Sequence, residues 1–483
     1  MRVLLRARAP KAFSVAAALA IAATALLLSC AQDSPRDAAV RDEPPSLLLV
    51  TIDTLRPDRL GCCGNPKTRT PYLDALARSG VLFETAVASA PSTAPSHTTI
   101  MTAKSPRAHG VFANGQPLAP NATTLAERLL AEGYSTAAVV SSYVLAPRIG
   151  LNRGFGEYML AYKAPGKTET ASAESTCTRA ISWLREHARG RFFLWVHLYD
   201  PHQPYDAPGI AGKFADPEYN GSFKTWQENQ VNFWNRTGII PPKEARHLAA
   251  RYDAEVNYVD VQIGRLLEAL DETGARENTL VCVTADHGET LGEHAGYFGH
   301  VHQLYETTLR VPLIFSGPGA PSDVPARHIV ARPARLLDLA PTCLDLLGFP
   351  PMEGVEGRSL VPFDRSRDSR DASSTARVAS DYTVSETGPS ERQTPEAQSV
   401  PRMLAARTPK SKLVRWLERD SLEVFDLTTD PGETRNLAGT SRETESELAA
   451  ILTLWEQAIG GAPALEALDD ETREQLRSLG YID

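Results

Sequence analysis

The chain has 483 residues, with 50 Lys and Arg against 59 Asp and Glu, and a formal net charge of −9 at pH 7. This acidic balance argues against a nucleic-acid-binding protein, and the length favours one large domain with a smaller one. Of the six cysteines, the five after residue 30 are scattered without C-x-x-C spacing. That pattern argues against a disulfide scaffold and against a structural zinc site.

The first predicted element is a signal peptide at residues 1–29. A basic start precedes an apolar run at residues 13–28 that is too short to span a bilayer comfortably. The run ends in L-L-S-C, which resembles the cleavage site of bacterial lipoproteins with Cys30 as the lipid-attachment residue; ordinary cleavage nearby is the alternative. Residues 30–45 are rich in Asp, Arg and Pro, which predicts a flexible tether. We therefore expect a bacterial cell-envelope protein, held at the membrane only through its lipid and facing the periplasm or the exterior.

Two apolar runs of strand length each end in a carboxylate. The first, at residues 47–54, contains Asp53, and the second, at residues 279–289, contains Asp286 and His287. Continuous apolarity is typical of strands covered on both faces, and ligands collect at the carboxyl ends of such strands. We expect the three side chains to converge at one rim of a sheet. Two carboxylates and an imidazole suit a divalent cation, which favours a metal-dependent hydrolase.

The segments between these runs alternate between helix and strand. A capping box at residues 124–127 predicts a helix start, and strands are predicted at residues 136–141 and 191–198. Apolar residues recur every three or four positions between residues 244 and 274, which indicates one face of a long helix. This alternation predicts an α/β fold with a large doubly wound, mixed or parallel sheet flanked by helices.

The character of the chain changes towards its C-terminus. We place a catalytic domain at residues 46–363 and a polar, partly disordered segment at 364–401. Residues 402–483 then show three short strand patterns and a final helical pattern. They predict a small α+β subdomain made of an antiparallel sheet and a helix.

A third segment, at residues 92–102, supplies a nucleophile. Pro95 is favoured in the first turn of a helix, which would place Thr93 just before the helix, where unpaired amides favour an anion. Metal coordination is one way to activate such a hydroxyl. The alternative is that Thr93 serves only as the N-cap of the helix.

Eight segments with distinctive spacing run through the mature chain. They are D-T-L-R-P-D-R-L-G (53–61), T-P-Y-L-D-A-L-A (70–77), T-A-P-S-H-T-T-I-M-T (93–102), P-R-A-H-G (106–110), D-P-H-Q-P-Y (200–205), D-H-G-E-T-L-G-E-H (286–294), L-Y-E-T-T-L-R-V-P-L-I (304–314) and D-L-T-T-D-P-G-E-T-R-N-L-A (426–438). In this order they resemble the sulfatase family of the alkaline phosphatase superfamily. D-H-G alone would be weak evidence, whereas eight segments in family order are specific.

The resemblance implies one metal ion, held by Asp53, Asp286 and His287, with the nucleophile Thr93 as a further ligand. It implies Ca²⁺, although the same residue set would suit Mn²⁺ or Zn²⁺. The chain also departs from the family. Thr93 stands where family members carry a Cys or Ser that becomes formylglycine, and Thr54 stands where a second Asp is usual. Threonine is not modified in that way, so we expect no formylglycine here.

These departures bear on the substrate. The family resemblance predicts a hydrolase of sulfuric esters, acting on a small or glycan sulfate. Superfamily relatives that use threonine act mainly on phosphoryl esters, so a phosphodiester or phosphonate hydrolase, or a phosphotransferase, is the alternative. A lesser alternative is a catalytically inactive metal-binding lipoprotein.

Four histidines are further candidates for the catalytic machinery. His97 replaces the family arginine and is expected to orient Thr93 or to hold an oxyanion. His202, in D-P-H-Q-P-Y, is expected to contact ester oxygens or to protonate the leaving alkoxide. His300 and His302 lie where the family often places a basic group that contacts the substrate, and we expect one of the two to do so.

Overall fold

The computed structural model describes residues 43–162, 170–206, 218–221, 223, 228–320, 328–363, 382–388 and 402–459. The predicted signal peptide, Cys30 and most of the tether lie outside these residues, as do most of the segment 364–401 and residues 460–483. Among the described helices, none is both long enough and apolar enough to cross a bilayer.

Fifteen strands are described. In chain order they are β1 Ser46–Ile52, β2 Val81–Val87, β3 Ser135–Val140, β4 Glu157–Leu160, β5 Phe192–Leu198, β6 Thr279–Ala285, β7 Thr290–Leu291, β8 Phe298–Gly299, β9 Arg310–Ser316, β10 His328–Val330, β11 Ala334–Arg335, β12 Thr383–Glu386, β13 Met403–Arg407, β14 Ser411–Trp416 and β15 Ser421–Asp426. Nine of them form one sheet in the order β10-β2-β9-β6-β1-β5-β3-β4, with β11 also paired to β2. Within this sheet only β9 pairs antiparallel with its neighbours, so the expected mixed sheet is confirmed.

The helices connect and cover these strands. They are α1 Pro71–Arg78, α2 Thr93–Thr102, α3 Pro106–His109, α4 Leu125–Ala131, α5 Ala173–His187, α6 Glu228–Thr237, α7 Pro242–Glu272, α8 Glu306–Leu309, α9 Leu339–Leu346 and α10 Arg442–Ile459. Helices α1 and α5 pack against α7, while α4 and α9 pack against α2. The predicted capping box is present, since the Thr124 hydroxyl accepts from the Glu127 amide and the Glu127 carboxylate accepts from the Thr124 amide.

The centre of the sheet determines where the candidate site lies. Every residue of β1, β5 and β6 is buried, as their continuous apolar sequences predict for strands covered on both faces. The strands are parallel, and Ile52 of β1 pairs with Leu198 of β5 and Ala285 of β6. The three strands therefore end at the same edge, and the residues that follow them are neighbours.

The C-terminal part forms a second, smaller sheet. Strands β12 to β15 are antiparallel in sequence order, and α10 packs on β13 and β14. Leu404, Leu413, Val424 and Leu448 are buried in its own apolar cluster. The predicted antiparallel sheet with a helix is confirmed, and β12 adds a strand from the segment 364–401.

A buried ion cluster joins this sheet to the main part of the chain. The Lys412 ammonium group, fully buried on β14, lies 2.8 Å from Glu433 and 3.3 Å from Glu306 at the start of α8. Arg407 contacts both oxygens of Glu306 at 3.0 Å. Because buried charges are costly unless they are paired, these residues depend on one another.

We predict that Lys412→Met lowers the free energy of unfolding by about 3–5 kcal/mol, because it leaves the buried Glu433 without its cation. Chemical denaturation checks this. Lys410→Met, at an exposed position of the same hairpin, is the control and is expected to change stability by less than about 0.5 kcal/mol. Equal midpoints for the two variants would contradict the prediction.

Candidate active site

The candidate site forms where β1 and β6 end side by side. Asp53 directly follows β1, and Asp286 and His287 directly follow β6. Thr93 is the first residue of α2, reached through the loop after β2. All four side chains are fully buried, so the structure brings together the residues proposed from the sequence as ligands and nucleophile.

The His287 ring is at the centre of this group. Its Nε2 atom lies 3.4 Å from Asp286 Oδ2, 3.8 Å from Asp53 Oδ1 and 3.5 Å from Thr93 Oγ1. Its Nδ1 atom lies 3.0 Å from the Gly288 carbonyl oxygen, to which it donates. Because Nδ1 carries the proton of the neutral ring, Nε2 has a free lone pair that points towards the carboxylates. A histidine that binds a metal ion through Nε2 needs this arrangement.

The donor atoms fit a divalent cation. Both oxygens of Asp53 and Oδ2 of Asp286 are buried and accept no hydrogen bond. One ligand atom each from Asp53, Asp286 and His287 lies within 4.8 Å of the others. Carboxylates buried without donors are strongly unfavourable unless a cation or a proton neutralises them.

The cation-free electrostatics lead to the same conclusion. Burial, followed by the charge of Asp286, raises the pKa of Asp53 well above its usual range. Burial opposes protonation of His287, but the carboxylates of Asp286 and Asp53 outweigh it and raise the pKa of the ring. Both shifts show that the site favours added positive charge, and a bound cation would oppose both of them.

Thr93 occupies a slightly different place from the predicted one. The helix begins at Thr93 and Ser92 is the N-cap, so Thr93 does not precede the helix and does not cap it. Its helix is fixed to the site, since the Ser96 hydroxyl donates to the Asp286 carbonyl oxygen at 2.6 Å and the Ala94 amide donates to Asn114 at 2.8 Å. The N-cap alternative is therefore wrong, and the Thr93 hydroxyl faces the His287 ring.

His97 lies behind the nucleophile. Its Nδ1 atom is 2.8 Å from the Thr93 carbonyl oxygen and 3.4 Å from Asp286 Oδ2, and its Nε2 atom is 3.0 Å from Thr51 Oγ1. Trp195 donates to the same Thr51 oxygen, so the Thr51 hydroxyl proton points to His97 Nε2. Burial lowers the pKa of His97 to about 3. The neutral ring thus orients Thr93, and both of its nitrogens are already engaged.

His202 and His300 lie together on the other side of His287. The His300 ring centre is 4.4 Å from that of His287 and 5.0 Å from that of His202. Its Nδ1 atom is 3.0 Å from Oε1 of the fully buried Glu289. Burial raises the pKa of Glu289 to about 7 and lowers that of His300 well below its usual value.

His302 is placed differently. Its Nδ1 atom is 3.0 Å from the Tyr297 hydroxyl, and its side chain is only partly buried. Of the two histidines that the sequence left open, His300 is the one whose ring is in contact with the cluster.

Two β-branched residues beside the site have left-handed backbones. Thr54, next to Asp53, has φ +56°, and Val301, next to His300, has φ +74°. Such conformations are strained for β-branched residues and concentrate at functional sites. Thr54 donates its amide to Asp286 Oδ1 at 3.3 Å, which ties the end of β1 to that of β6.

Arg56 holds the loop that follows β1. Its guanidinium group donates to both oxygens of Asp58 at 2.9 and 2.8 Å. It also donates to the Glu289 carbonyl oxygen and to Glu293, both at 2.9 Å. The loops after β1 and β6 are therefore crosslinked by one buried cation.

His197 was missed by the sequence reasoning, as was the pairing of Glu289 with His300. His197 is fully buried near the end of β5, and its Nε2 atom lies 3.6 Å from Asp53 Oδ2. Burial lowers its pKa to about 4. The available signal was an ionisable residue one position before the end of an otherwise apolar strand.

Family models and known relatives match most of the chain. A family model described as sulfatase matches residues 45–349, and one described as N-sulphoglucosamine sulphohydrolase, C-terminal, matches residues 292–457. The Delta 4,5-hexuronate-2-O-sulfatase of Bacteroides thetaiotaomicron is 26% identical over 439 residues, which cover 83% of this chain and 86% of that protein.

Two solved structures share the fold. One, in complex with its substrate D-glucosamine-2-N,6-O-disulfate, has a TM-score of 0.70 at 20% identity and covers 86% of this chain and 98% of its own. The phosphonate monoester hydrolase of Agrobacterium radiobacter has a TM-score of 0.65 at 22% identity, and the match covers 86% of this chain and 95% of that protein. Since the first family model spans well over half of the sequence, the chain belongs to the sulfatase family of the alkaline phosphatase superfamily, metal-dependent hydrolases that act on ester bonds.

Proposed function

We propose that this protein hydrolyses sulfate esters with a divalent cation and an unmodified Thr93 nucleophile, and that its substrate is a small or glycan sulfate. The observation that carries the proposal is the position of the Thr93 hydroxyl, 3.5 Å from His287 Nε2 and beside buried carboxylate oxygens that accept no hydrogen bond. Membership of the sulfatase family and the likeness to a hexuronate sulfatase support the substrate class.

Asp53, Asp286, His287 and Thr93 would hold the cation. When bound, it lowers the pKa of the Thr93 hydroxyl and offsets the negative charge of the ester. The chain supplies the orientation: His97 fixes the Thr93 backbone, and Ser96 fixes the Asp286 backbone. Both contacts are buried, so the nucleophile is held before the substrate arrives.

The reaction then has two steps. Thr93 Oγ1 attacks the sulfur atom, the bond between sulfur and the alcohol oxygen breaks, and the alcohol departs with a proton. Water then attacks the sulfated Thr93, releases inorganic sulfate and restores the hydroxyl. Threonine has a single hydroxyl group, so this second step requires water and cannot be an internal elimination.

We assign the proton for the departing alcohol to His300. Its Nδ1 atom and Glu289 Oε1 are 3.0 Å apart. Burial lowers the pKa of His300 and raises that of Glu289 to about 7, so the Glu289 carboxyl group supplies a proton to Nδ1 as the neutral ring gives its Nε2 proton to the alcohol. The Nδ1 atom of His202 donates to the Gln203 carbonyl oxygen at 2.6 Å, and its ring packs against that of His300. We assign His202 to the ester oxygens.

A second candidate is the hydrolysis of phosphodiesters or phosphonates. Thr93 favours it, because a phosphorylated threonine is released by water without the second hydroxyl that formylglycine offers. The fold likeness to a phosphonate monoester hydrolase is compatible with it.

The identity of the cation and the location of the protein are also proposals. Family membership supports Ca²⁺, and an imidazole among the ligands would suit Mn²⁺ or Zn²⁺. A lipid anchor at Cys30 in the cell envelope rests on residues 1–30 of the sequence.

We predict that protein lacking residues 1–30 hydrolyses 4-nitrophenyl sulfate, and that Thr93→Ala lowers kcat/KM by about a thousandfold or more, because the nucleophile is lost. Release of 4-nitrophenol is the measurement, with bis(4-nitrophenyl) phosphate and 4-nitrophenyl phenylphosphonate in parallel. Thr102→Ala, at a buried threonine of the same helix, is the control. Turnover of the phosphoryl compounds alone would replace the sulfate proposal by the second candidate, and unchanged turnover by Thr93→Ala would remove Thr93 from the mechanism.

We predict that Asp53→Asn raises the thermal midpoint of the cation-free protein and abolishes its stabilisation by added cation. The variant removes a buried carboxylate of which neither oxygen accepts a hydrogen bond, a gain of about 1–3 kcal/mol. Differential scanning calorimetry with chelator and with Ca²⁺ or Mn²⁺ tests this. Asp420→Asn, at an exposed site, should leave both quantities unchanged; a cation-dependent shift that survives in Asp53→Asn would contradict the assignment.

We also predict that cation affinity falls as pH decreases. The cation requires ionised Asp53 and neutral His287, and both groups have raised pKa values in the cation-free protein. Protons therefore compete in the same direction at both residues, and affinity changes by about tenfold per pH unit for each proton displaced. Calorimetric titration from about pH 8 to about pH 5.5, in buffers of different ionisation enthalpy, measures the protons released. Affinity that is independent of pH would refute this.

A further inference from the structure

His197 is a buried imidazole for which the proposed mechanism has no use. It lies on β5, the strand next to β1, and its side chain is fully buried. Its Nε2 atom has no hydrogen-bond partner among the described residues. Buried polar atoms are nearly always paired, so this one calls for an explanation.

Ser141 makes the contacts from which we assign the tautomer of His197. The Ser141 amide donates to Nδ1 at 3.4 Å, and the Ser141 hydroxyl donates its proton to the His197 carbonyl oxygen at 2.6 Å. The hydroxyl oxygen itself is 3.1 Å from Nδ1. The amide hydrogen of Ser141 points at Nδ1, and on that contact we assign the proton of the neutral ring to Nε2.

That Nε2–H group faces a ligand of the cation. The nearest carboxylate oxygen is Asp53 Oδ2, 3.6 Å away, and this oxygen also has no hydrogen-bond partner. A donor without an acceptor and an acceptor without a donor thus face each other in a buried site. His97 holds the corresponding position behind Asp286, at 3.4 Å, and its ring packs edge-on against that of His197 at 4.9 Å.

We propose that His197, held by Ser141, is a positioning residue for the cation site: its Nε2–H group orients Asp53 so that the other carboxylate oxygen faces the cation. The proposal rests on the cation site of the proposed function but not on the substrate class. Partners of metal ligands that act in this way commonly change metal affinity by about 10- to 100-fold.

The test separates this role from mere packing through two amide substitutions. The amide nitrogen of glutamine reaches about as far as Nε2 of histidine, whereas that of asparagine corresponds to Nδ1. His197→Gln therefore keeps a donor towards Asp53, and His197→Asn and His197→Ala remove it. Cation affinity is measured by calorimetry with Ca²⁺ and Mn²⁺ on chelator-treated full-length protein, without substrate.

We expect His197→Ala and His197→Asn to weaken cation binding by about 10- to 100-fold, and His197→Gln to remain within about threefold of the unaltered chain. The matched control is His109→Ala, since His109 is equally buried but contacts Thr99 and Val111 instead of the site; it should lower the thermal midpoint without changing cation affinity.

Three results would overturn the proposal: full cation affinity in a folded His197→Ala protein, equal losses in the Gln and Asn variants, or no cation binding by the unaltered chain. The outcome is independent of the esterase assay. If no ester is hydrolysed but cation affinity depends on His197 as described, the proposed function fails and this inference stands.

Discussion

The structure depends on one electrostatic constraint: two carboxylates, Asp53 and Asp286, lie at the ends of adjacent buried strands with three oxygens that accept no hydrogen bond. Ionised groups in such surroundings repel each other and are poorly solvated. Burial and the charge of Asp286 accordingly raise the pKa of Asp53 well above its usual range. A site built in this way gains far more from a divalent cation than it would from a neutral ligand.

The surrounding residues hold these two carboxylates close together despite their mutual repulsion. Paired strands fix the backbone on both sides, and Thr54 accepts a left-handed conformation so that its amide can reach Asp286. Arg56 crosslinks the two loops with a charge that is itself neutralised by Asp58 and Glu293. The fold thus holds the site in an energetically unfavourable arrangement. The opposite case is the buried cluster of Lys412 with Glu306 and Glu433, in which the charges are paired.

Features that depend on residues close together in the sequence could be predicted, and features that depend on tertiary contacts could not. The strand ends with Asp53 and Asp286 are local patterns, in which an apolar run stops at a carboxylate, and neighbouring parallel strands bring such ends together. The start of α2 was misplaced by only a short distance, because a proline in the first turn is compatible with several starts. The partners of His197 and the contact between Glu289 and His300 could not be predicted, because they depend on tertiary packing between strands and loops.

The charge of the site bears on both candidate functions. A divalent cation balances Asp53 and Asp286 in formal charge, and burial keeps His97 and His197 neutral, with their pKa values lowered to about 3 and about 4. Such a site suits an ester with a single negative charge, and sulfate monoesters, phosphodiesters and phosphonate monoesters all carry one. The charge of the site therefore favours singly charged esters, which include the substrates of both candidate functions. In the proposed mechanism the two functions differ in the second step, in which water would release either sulfate or a phosphoryl group from Thr93. That step would depend on how well the pair of Glu289 and His300 activates water.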